Sequence, residues 1–223
     1  GQLDLGGILA QSSQVGISRL ALSLNEYDVW KLFQTFGFGQ ATGIGFPGES
    51  SGFLPNRRRW KDIERVTFAY GYGLTVTPLQ LAAAYSTIAS GGIKRDVTLI
   101  AGQTVQGERV MDARVAFQLQ SMLGRVVTEG TGRKAAIEAY DVGGKTGTAR
   151  KIGDNGYDDT RHIAFFAGFA PQYSPRYVGV VLINEPQSEQ VGGGSIAAPI
   201  FSRVMSNVLR LLTVPPTDTR EAV

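Results

Sequence analysis

A mixed α/β (α+β) fold, an antiparallel sheet flanked by helices on both faces, is predicted by two features of the sequence. Late in the chain, residues 163–170 and 177–183 are near-continuous apolar runs of strand length, the pattern of strands buried on both faces. Around them, apolar residues recur at helical spacing between recognisable start and stop signals. With 223 residues, 43% of them hydrophobic, the chain has enough apolar surface for one sizeable core.

The elements follow in order. Residues 15–24 read as a helix entered from Ser12-Ser13-Gln14. Asn25 is placed to cap the next helix, through Phe36, with Tyr27, Trp30, Phe33 and Phe36 roughly on one face and Gly37 as its stop. Between Gly37 and Gly52 lies a glycine-rich loop region; its glycines and Pro47 imply positive-φ turns and tight backbone crossings, not a phosphate cradle. Arg57-Arg58-Arg59 with Lys61 forms a short basic run, read either as a solvated loop or as a contact for a partner or an acidic surface.

Thr77-Pro78 opens another helix: a cap residue, then proline at the first helical position, where its missing N–H costs nothing. Leu81, Ala84, Tyr85 and Ile88 are its expected buried side, and Gly91-Gly92 its end. Asp112 starts the next, with Val115, Leu119, Met122, Leu123 and Val126 at helical spacing. Residues 142–152 supply a strand, with 153–156 as the turn. The two apolar strands are joined by Pro171-Gln172-Tyr173-Ser174-Pro175, a length that suits an antiparallel hairpin. The last helix is expected to begin near Pro199 and to bury Phe201, Val204, Met205, Val208, Leu209 and Leu212 before Pro215-Pro216 stops it. Residues 1–214 are read as part of one domain and 215–223 as a flexible tail.

Composition narrows the function. Twenty-two basic and 19 acidic side chains leave a formal charge of +3, scattered along the chain, which does not argue for nucleic acid. The absence of cysteine excludes disulfides, thiolate metal sites and cysteine catalysis. No apolar run approaches the ~18 residues of a membrane span. The chain opens on Gly1 without a signal-peptide pattern and reads as a piece of a longer protein, any targeting signal lying upstream.

Gly144-Lys145-Thr146-Gly147-Thr148 admits two chemistries. A phosphate-binding loop needs a glycine five positions before Gly144, where Ala139 stands, and a helix opening at the lysine, where the sequence looks extended. The alternative is the Lys-Thr-Gly element of serine acyl-transferring enzymes that react with penicillin. On a strand at the edge of a cleft, Lys145 supplies a fixed charge. Thr146 and Thr148, two apart, put hydroxyls on one face. Gly147 lets an acyl group lie close to the backbone. Alone, this triplet is a weak signal.

A second element lies 133 positions earlier (145 − 12): Ser12-Ser13-Gln14 ahead of a helix. It resembles the Ser-X-Asn motif of penicillin-binding proteins. Longer stretches are more specific: Ser13-Gln14-Val15-Gly16-Ile17-Ser18, Thr42-Gly43-Ile44-Gly45-Phe46-Pro47-Gly48-Glu49, Tyr70-Gly71-Tyr72-Gly73-Leu74 and Val76-Thr77-Pro78-Leu79-Gln80-Leu81. With residues 144–151 and 167–171 and Ala197-Ala198-Pro199-Ile200-Phe201, they resemble class B penicillin-binding proteins of the division-specific type over nearly the whole chain. The resemblance implies a serine β-lactamase/transpeptidase-like fold, of which this chain would be an incomplete domain.

It also implies an acyl transfer. An activated serine attacks the D-Ala-D-Ala amide of a peptidoglycan stem peptide, releases D-alanine and passes the acyl group to an amine on a neighbouring strand; β-lactams mimic the dipeptide. By that resemblance Ser12 belongs to the proton relay to the leaving nitrogen, and Gln14 holds the substrate amide. Lys145, Thr146 and Thr148 grip the donor carboxylate, and the Thr148 backbone N–H is an oxyanion donor. No cofactor or metal is implied. Stem peptides, β-lactam antibiotics and other septal division proteins are the implied partners. The implied place is the periplasmic face of the bacterial inner membrane, with a membrane anchor outside this chain.

Three departures stand against the family pattern. No Ser-X-X-Lys occurs in the 223 residues, so the nucleophile is expected on an upstream segment. Gln14 replaces Asn, moving the amide by about 1.5 Å if the backbone stays put, enough to alter β-lactam affinity. Gln190-Val191 precede Gly192-Gly193-Gly194 where many relatives carry aromatics, so that wall of the cleft is less apolar. His162, the only histidine, is read as a cleft-wall residue, with a structural role and a catalytic base as alternatives. Tyr72 reaches the cleft or packs its turn; Ser13 is read as structural. The rival functions are a β-lactamase of the same fold, a β-lactam-sensing domain and a non-catalytic binding module.

Overall fold

The structure is a computed structural model, described over residues 1–56, 59–153, 156–188 and 190–217. Arg57 and Arg58 of the basic run, two residues of the 153–156 turn, and residues 218–223 of the expected tail lie outside the described residues. The helices are α1 (Leu5–Ala10), α2 (Gln14–Ser23), α3 (Asp28–Thr35), α4 (Asp62–Ala69), α5 (Pro78–Ala89), α6 (Ala113–Thr128) and α7 (Gly193–Leu211). The strands are β1 (Ile93–Arg95), β2 (Gly107–Arg109), β3 (Gly143–Gly153), β4 (Gly156–Ala170) and β5 (Tyr177–Asn184). They fall into two compact units, one of Gly1–Asp4 with Ser13–Ala116, the other of Leu5–Ser12 with the residues from Phe117 on.

In the first unit, polar side chains close the turns. Ser13 caps α2, its Oγ accepting from Gly16 N at 3.1 Å. At the other end, Arg65 Nη2 donates to the carbonyls of Ala21 (3.1 Å), Leu22 (3.3 Å) and Leu24 (2.7 Å), a cation at a helix C-terminus that ties α2 to α4. The helix expected from Asn25 starts three residues later, at Asp28. Asn25 Oδ1 accepts from Tyr27 N (3.1 Å) and the Asp28 carboxylate from Asn25 N (3.2 Å), so the side chain closes a turn ahead of the helix instead of capping it. Phe33 of α3 meets Phe68 of α4, and Phe68 meets Trp60, each pair at 4.9 Å between ring centroids.

Thr77-Pro78 opens α5 with a full capping box: Thr77 Oγ1 accepts from Gln80 N (3.1 Å) and Gln80 Oε1 from Thr77 N (2.8 Å). Gln80 is only 2% exposed; its Nε2 donates to Gln40 O and Ser51 O, both at 2.7 Å. It thereby pins both ends of the glycine-rich loop to the helix. Within the loop, the Glu49 carboxylate accepts from Thr42 N (2.8 Å) and Thr42 Oγ1 (2.5 Å), and these bonds hold its pKa below the ordinary value.

The second unit is a three-stranded antiparallel sheet in the order β3-β4-β5, crossed on one face by α7. The strand assignments read from the apolar runs hold, and the Ala170–Pro171 bond in their connection is cis. Phe166 of β4 meets Phe201 of α7 at 4.8 Å, and both are essentially buried, with Ala197, Ala198, Met205 and Leu209 of the helix around them. At the far end of the sheet, Phe117 of α6 meets Tyr173 of the β4–β5 connection. β5 is an outer strand; among the described residues it pairs only with β4 and carries no charged side chain.

α7 departs from expectation. It begins at Gly193, with Pro199 inside it, not at Pro199. The three glycines read as a breaker, but Gly193 N–H is taken up by Thr148 Oγ1 at 3.0 Å and Gly192 O accepts from Ser195 N and Ile196 N. Proline at 199 removes one helical bond without ending the helix. The start of the expected tail is tied down: Thr217 N donates to Ala139 O (2.9 Å), Thr217 Oγ1 accepts from Asp141 N (3.3 Å), and Val214 is buried.

Candidate active site

The second unit gathers four sequence segments around the edge strand β3. Two residues past the end of α1 stands Ser12, whose φ of +54° lies in the left-handed region, uncommon for residues other than glycine, asparagine or aspartate. Backbone bonds hold it there: Gln11 N donates to Gly7 O and Ser12 N to Leu9 O. The strain turns the serine out of the helix line, and such outliers gather at functional sites. The Ser12 side chain is exposed and its Oγ accepts from Lys145 Nζ at 2.9 Å.

Lys145 completes its three donor positions with Thr146 O (3.0 Å) and Thr146 Oγ1 (3.3 Å). Each acceptor is neutral, and among the described residues no carboxylate pairs with this ammonium. Burial therefore works against its charge and lowers its pKa from 10.5 to about 8. The site holds a partly desolvated cation without a counter-ion.

The register Lys145↔Ala167, Thr146↔Phe166, Gly147↔Phe165, Thr148↔Ala164 fixes which side chains share a face. Thr146 and Thr148 lie on the α7 face with Phe166, and Lys145 leaves from the other and bends back to Thr146. Thr148 Oγ1 receives the Gly193 N–H and keeps its own proton to donate. Gly147 has no room for a side chain: a Cβ there would meet the Phe165 ring, and one on Gly193 would fall 2.4 Å from Gly147 O. Backbone thus lies on backbone where α7 starts over β3.

His162 pairs with Arg150 at the next level of the ladder; it is half-buried and its Nδ1 makes no hydrogen bond. No carboxylate orients this ring, so the geometry of a Ser-His-Asp triad is not formed among the described residues. Gln14, exposed at the start of α2, and Tyr72, half-buried with its ring 5.8 Å from that of Tyr70, lie in the first unit.

One residue was missed by the sequence reading. Thr131, on the turn after α6, has its Oγ1 2.8 Å from Thr146 Oγ1, and its N–H donates to Ala10 O at 3.0 Å. It joins the end of α1 to the lysine strand, extending the network from Ser12 through Lys145 and Thr146. The signal was the triplet Gly130-Thr131-Gly132, more glycine than a helix end needs. A Cβ on Gly130 would sit 2.2 Å from Ala10 O.

The family model for the penicillin-binding protein transpeptidase domain matches residues 1–206. The chain belongs to this family. Similar proteins include the peptidoglycan D,D-transpeptidase FtsI of Escherichia coli K12, 44% identical over 217 residues, 96% of this chain and 37% of the relative. FtsI of Buchnera aphidicola subsp. Schizaphis graminum is 39% identical over 98% of this chain and 39% of its own. Among solved structures, the apo TP domain of Burkholderia pseudomallei penicillin-binding protein 3 superposes with a TM-score of 0.91 at 39% identity, covering 97% of this chain and 67% of that one. The chain thus spans less than two fifths of the length of these curated relatives. Its mixed helix and antiparallel-sheet fold is that of the penicillin-binding protein transpeptidase domain.

Proposed function

We propose that these residues are the later part of a serine D,D-transpeptidase that cross-links peptidoglycan and is acylated by β-lactams. The observation that carries this reading is the Lys145 ammonium, paired with no carboxylate among the described residues and 2.9 Å from the hydroxyl of Ser12. A cation held in that way favours a substrate carboxylate and takes up a charge-assisted bond on capture. Ser12, in contact with the same ammonium, is suited to pass a proton to a leaving amine. Thr146 and Thr148 line the strand beside them, with Thr131 behind, Gly147 presenting bare backbone packed against the Phe165 ring and His162 assigned to the groove wall.

In this mechanism a serine oxygen adds to the D-Ala-D-Ala carbonyl. The tetrahedral intermediate is stabilised by N–H donors including that of Thr148, and the C–N bond breaks as the amine gains a proton through Ser12. An amine from a neighbouring strand then displaces the serine. With no Ser-X-X-Lys in the 223 residues, the attacking serine is assigned to a part of the protein outside them. Gln14 is assigned to the substrate amide and Tyr72 to the cleft. The division role, septal partners and a periplasmic, membrane-anchored setting belong to the same proposal, prompted by the FtsI relatives; no helix among the described residues is long and apolar enough to cross a membrane.

The test is covalent labelling of the complete protein with a fluorescent penicillin. A slowly decaying adduct is expected, with Lys145→Ala reducing both capture and acylation. Rapid turnover of the adduct supports a β-lactamase instead, and no adduct at all a non-catalytic module.

A further inference from the structure

We propose that Lys151 and Glu185 are a positioning pair for the groove, fixing the far end of the edge strand and with it Thr148 and His162. The inference rests on the transpeptidase reading above and adds two residues to it.

Past Arg150, the β3–β4 ladder breaks. Arg150 pairs with His162 but Ile152 pairs with Tyr157, so Lys151 alone stands opposite Asp158, Asp159, Thr160 and Arg161. A bulge bends its strand and ends regular ladder support, here two residues beyond Ala149. The bulged segment is braced within itself: the Asp158 carboxylate accepts from Thr160 N (2.8 Å), Thr160 Oγ1 (2.6 Å) and Arg161 Nε (2.7 Å). Two side chains tie β3 to the rest of the sheet at this level: Arg150 pairs with Asp159 of β4, and Lys151 reaches past β4 to the end of β5. Lys151 Nζ donates to Asn184 Oδ1 (3.2 Å) and to the Glu185 carboxylate (2.5 Å), both at the end of β5.

Glu185 uses each of its polar groups on a different segment. Its carboxylate holds β3 through Lys151. Its N–H donates to His162 O (2.8 Å) on β4, and its carbonyl accepts from Gln187 Nε2 (3.1 Å) on the connection that leads to Gly193 and Thr148. To do this it adopts φ +53°, a conformation that costs a residue with a side chain. The hydrogen bond and charge of Lys151 hold the Glu185 pKa below its ordinary value. The side chains are 28% and 36% exposed, and ion pairs this open contribute little to stability. Their effect is on where the strand sits.

The experiment uses the complete protein with Glu185→Gln, Lys151→Met and the swapped pair Lys151→Glu/Glu185→Lys. Acylation by a fluorescent penicillin over a range of concentrations separates the saturating rate from the half-saturating concentration. Amide hydrogen exchange over residues 148–152 reports on the strand. Each single variant is expected to lower the saturating rate roughly 10- to 100-fold, as misplacement near 1 Å does, with faster exchange at 148–152 and an unchanged Tm. The swap is expected to recover most of the rate and the exchange protection. Parental rates in the single variants, no recovery in the swap, or a loss of rate that tracks a loss of Tm overturns the proposal. If the unmutated protein takes no label, the transpeptidase reading falls instead. The exchange data then judge the pair alone, and parental exchange in the single variants overturns it.

Discussion

The glycine-rich loop of the first unit and the sheet of the second are both tightly held, by opposite means. Around Gln80, the backbone of residues 40–52 is fixed by hydrogen bonds from one buried amide, while Phe46 and Phe53 stay exposed. In the sheet, Phe166, Phe169, Phe201 and Leu209 are essentially buried and the helix lies on the strands through apolar contact. The first arrangement depends on bond geometry and on leaving no donor or acceptor unmet; the second depends on volume. A substitution that keeps volume but loses polarity should therefore be tolerated in the sheet core and damaging at Gln80.

The largest expected effect is at Phe166. Phe166→Ala leaves a cavity against Phe201 and is expected to cost about 3–5 kcal/mol in denaturant unfolding, whereas Phe166→Leu should cost far less; equal losses would break the contrast. Gln80→Leu keeps the bulk but strands the carbonyls of Gln40 and Ser51 and the N–H of Thr77. A loss of about 2–3 kcal/mol is expected, and a neutral result would show that the loop is held by something other than this amide. A third effect on stability comes from Lys145, a partly buried charge in the apolar unit. Its pKa is lowered from 10.5 to about 8, so between those values the unfolded chain binds more protons than the folded one and stability rises with pH. Capture of a penicillin carboxylate should run the other way, falling as pH passes about 8. Stability and acylation measured from pH 7 to 10 sharpen the comparison if they move in opposite directions, and break it if they move together.

What was legible in the sequence follows the same division. The strands of the sheet and the Thr77-Pro78 helix start could be anticipated, because apolar runs and caps act locally; the approach of Ser12 to the lysine strand, 133 positions away, was expected only through the family resemblance. α1 could not: six residues with two adjacent glycines make a poor helix, one that exists where its backbone meets Gly130 and Thr131. α4 has Lys61 at its cap position, and only Glu64, reaching back to Lys61 N at 2.9 Å, marks its start. The start of α7 was hidden because Gly192-Gly193-Gly194 looks like a turn until Thr148 is seen to accept the Gly193 N–H. The role of Thr131, and the bulge at Lys151, are set by partners far away in sequence, and no local period announces them.

β5 is an outer strand without charge, eight residues long. Such a margin has no Lys, no Pro and no bulge of its own to discourage company, so its outward amides and carbonyls offer a ready template to any extended segment that reaches them. A polypeptide of these 223 residues by itself would carry that invitation into solution, and what joins it there decides whether it stays a folded monomer or begins to assemble.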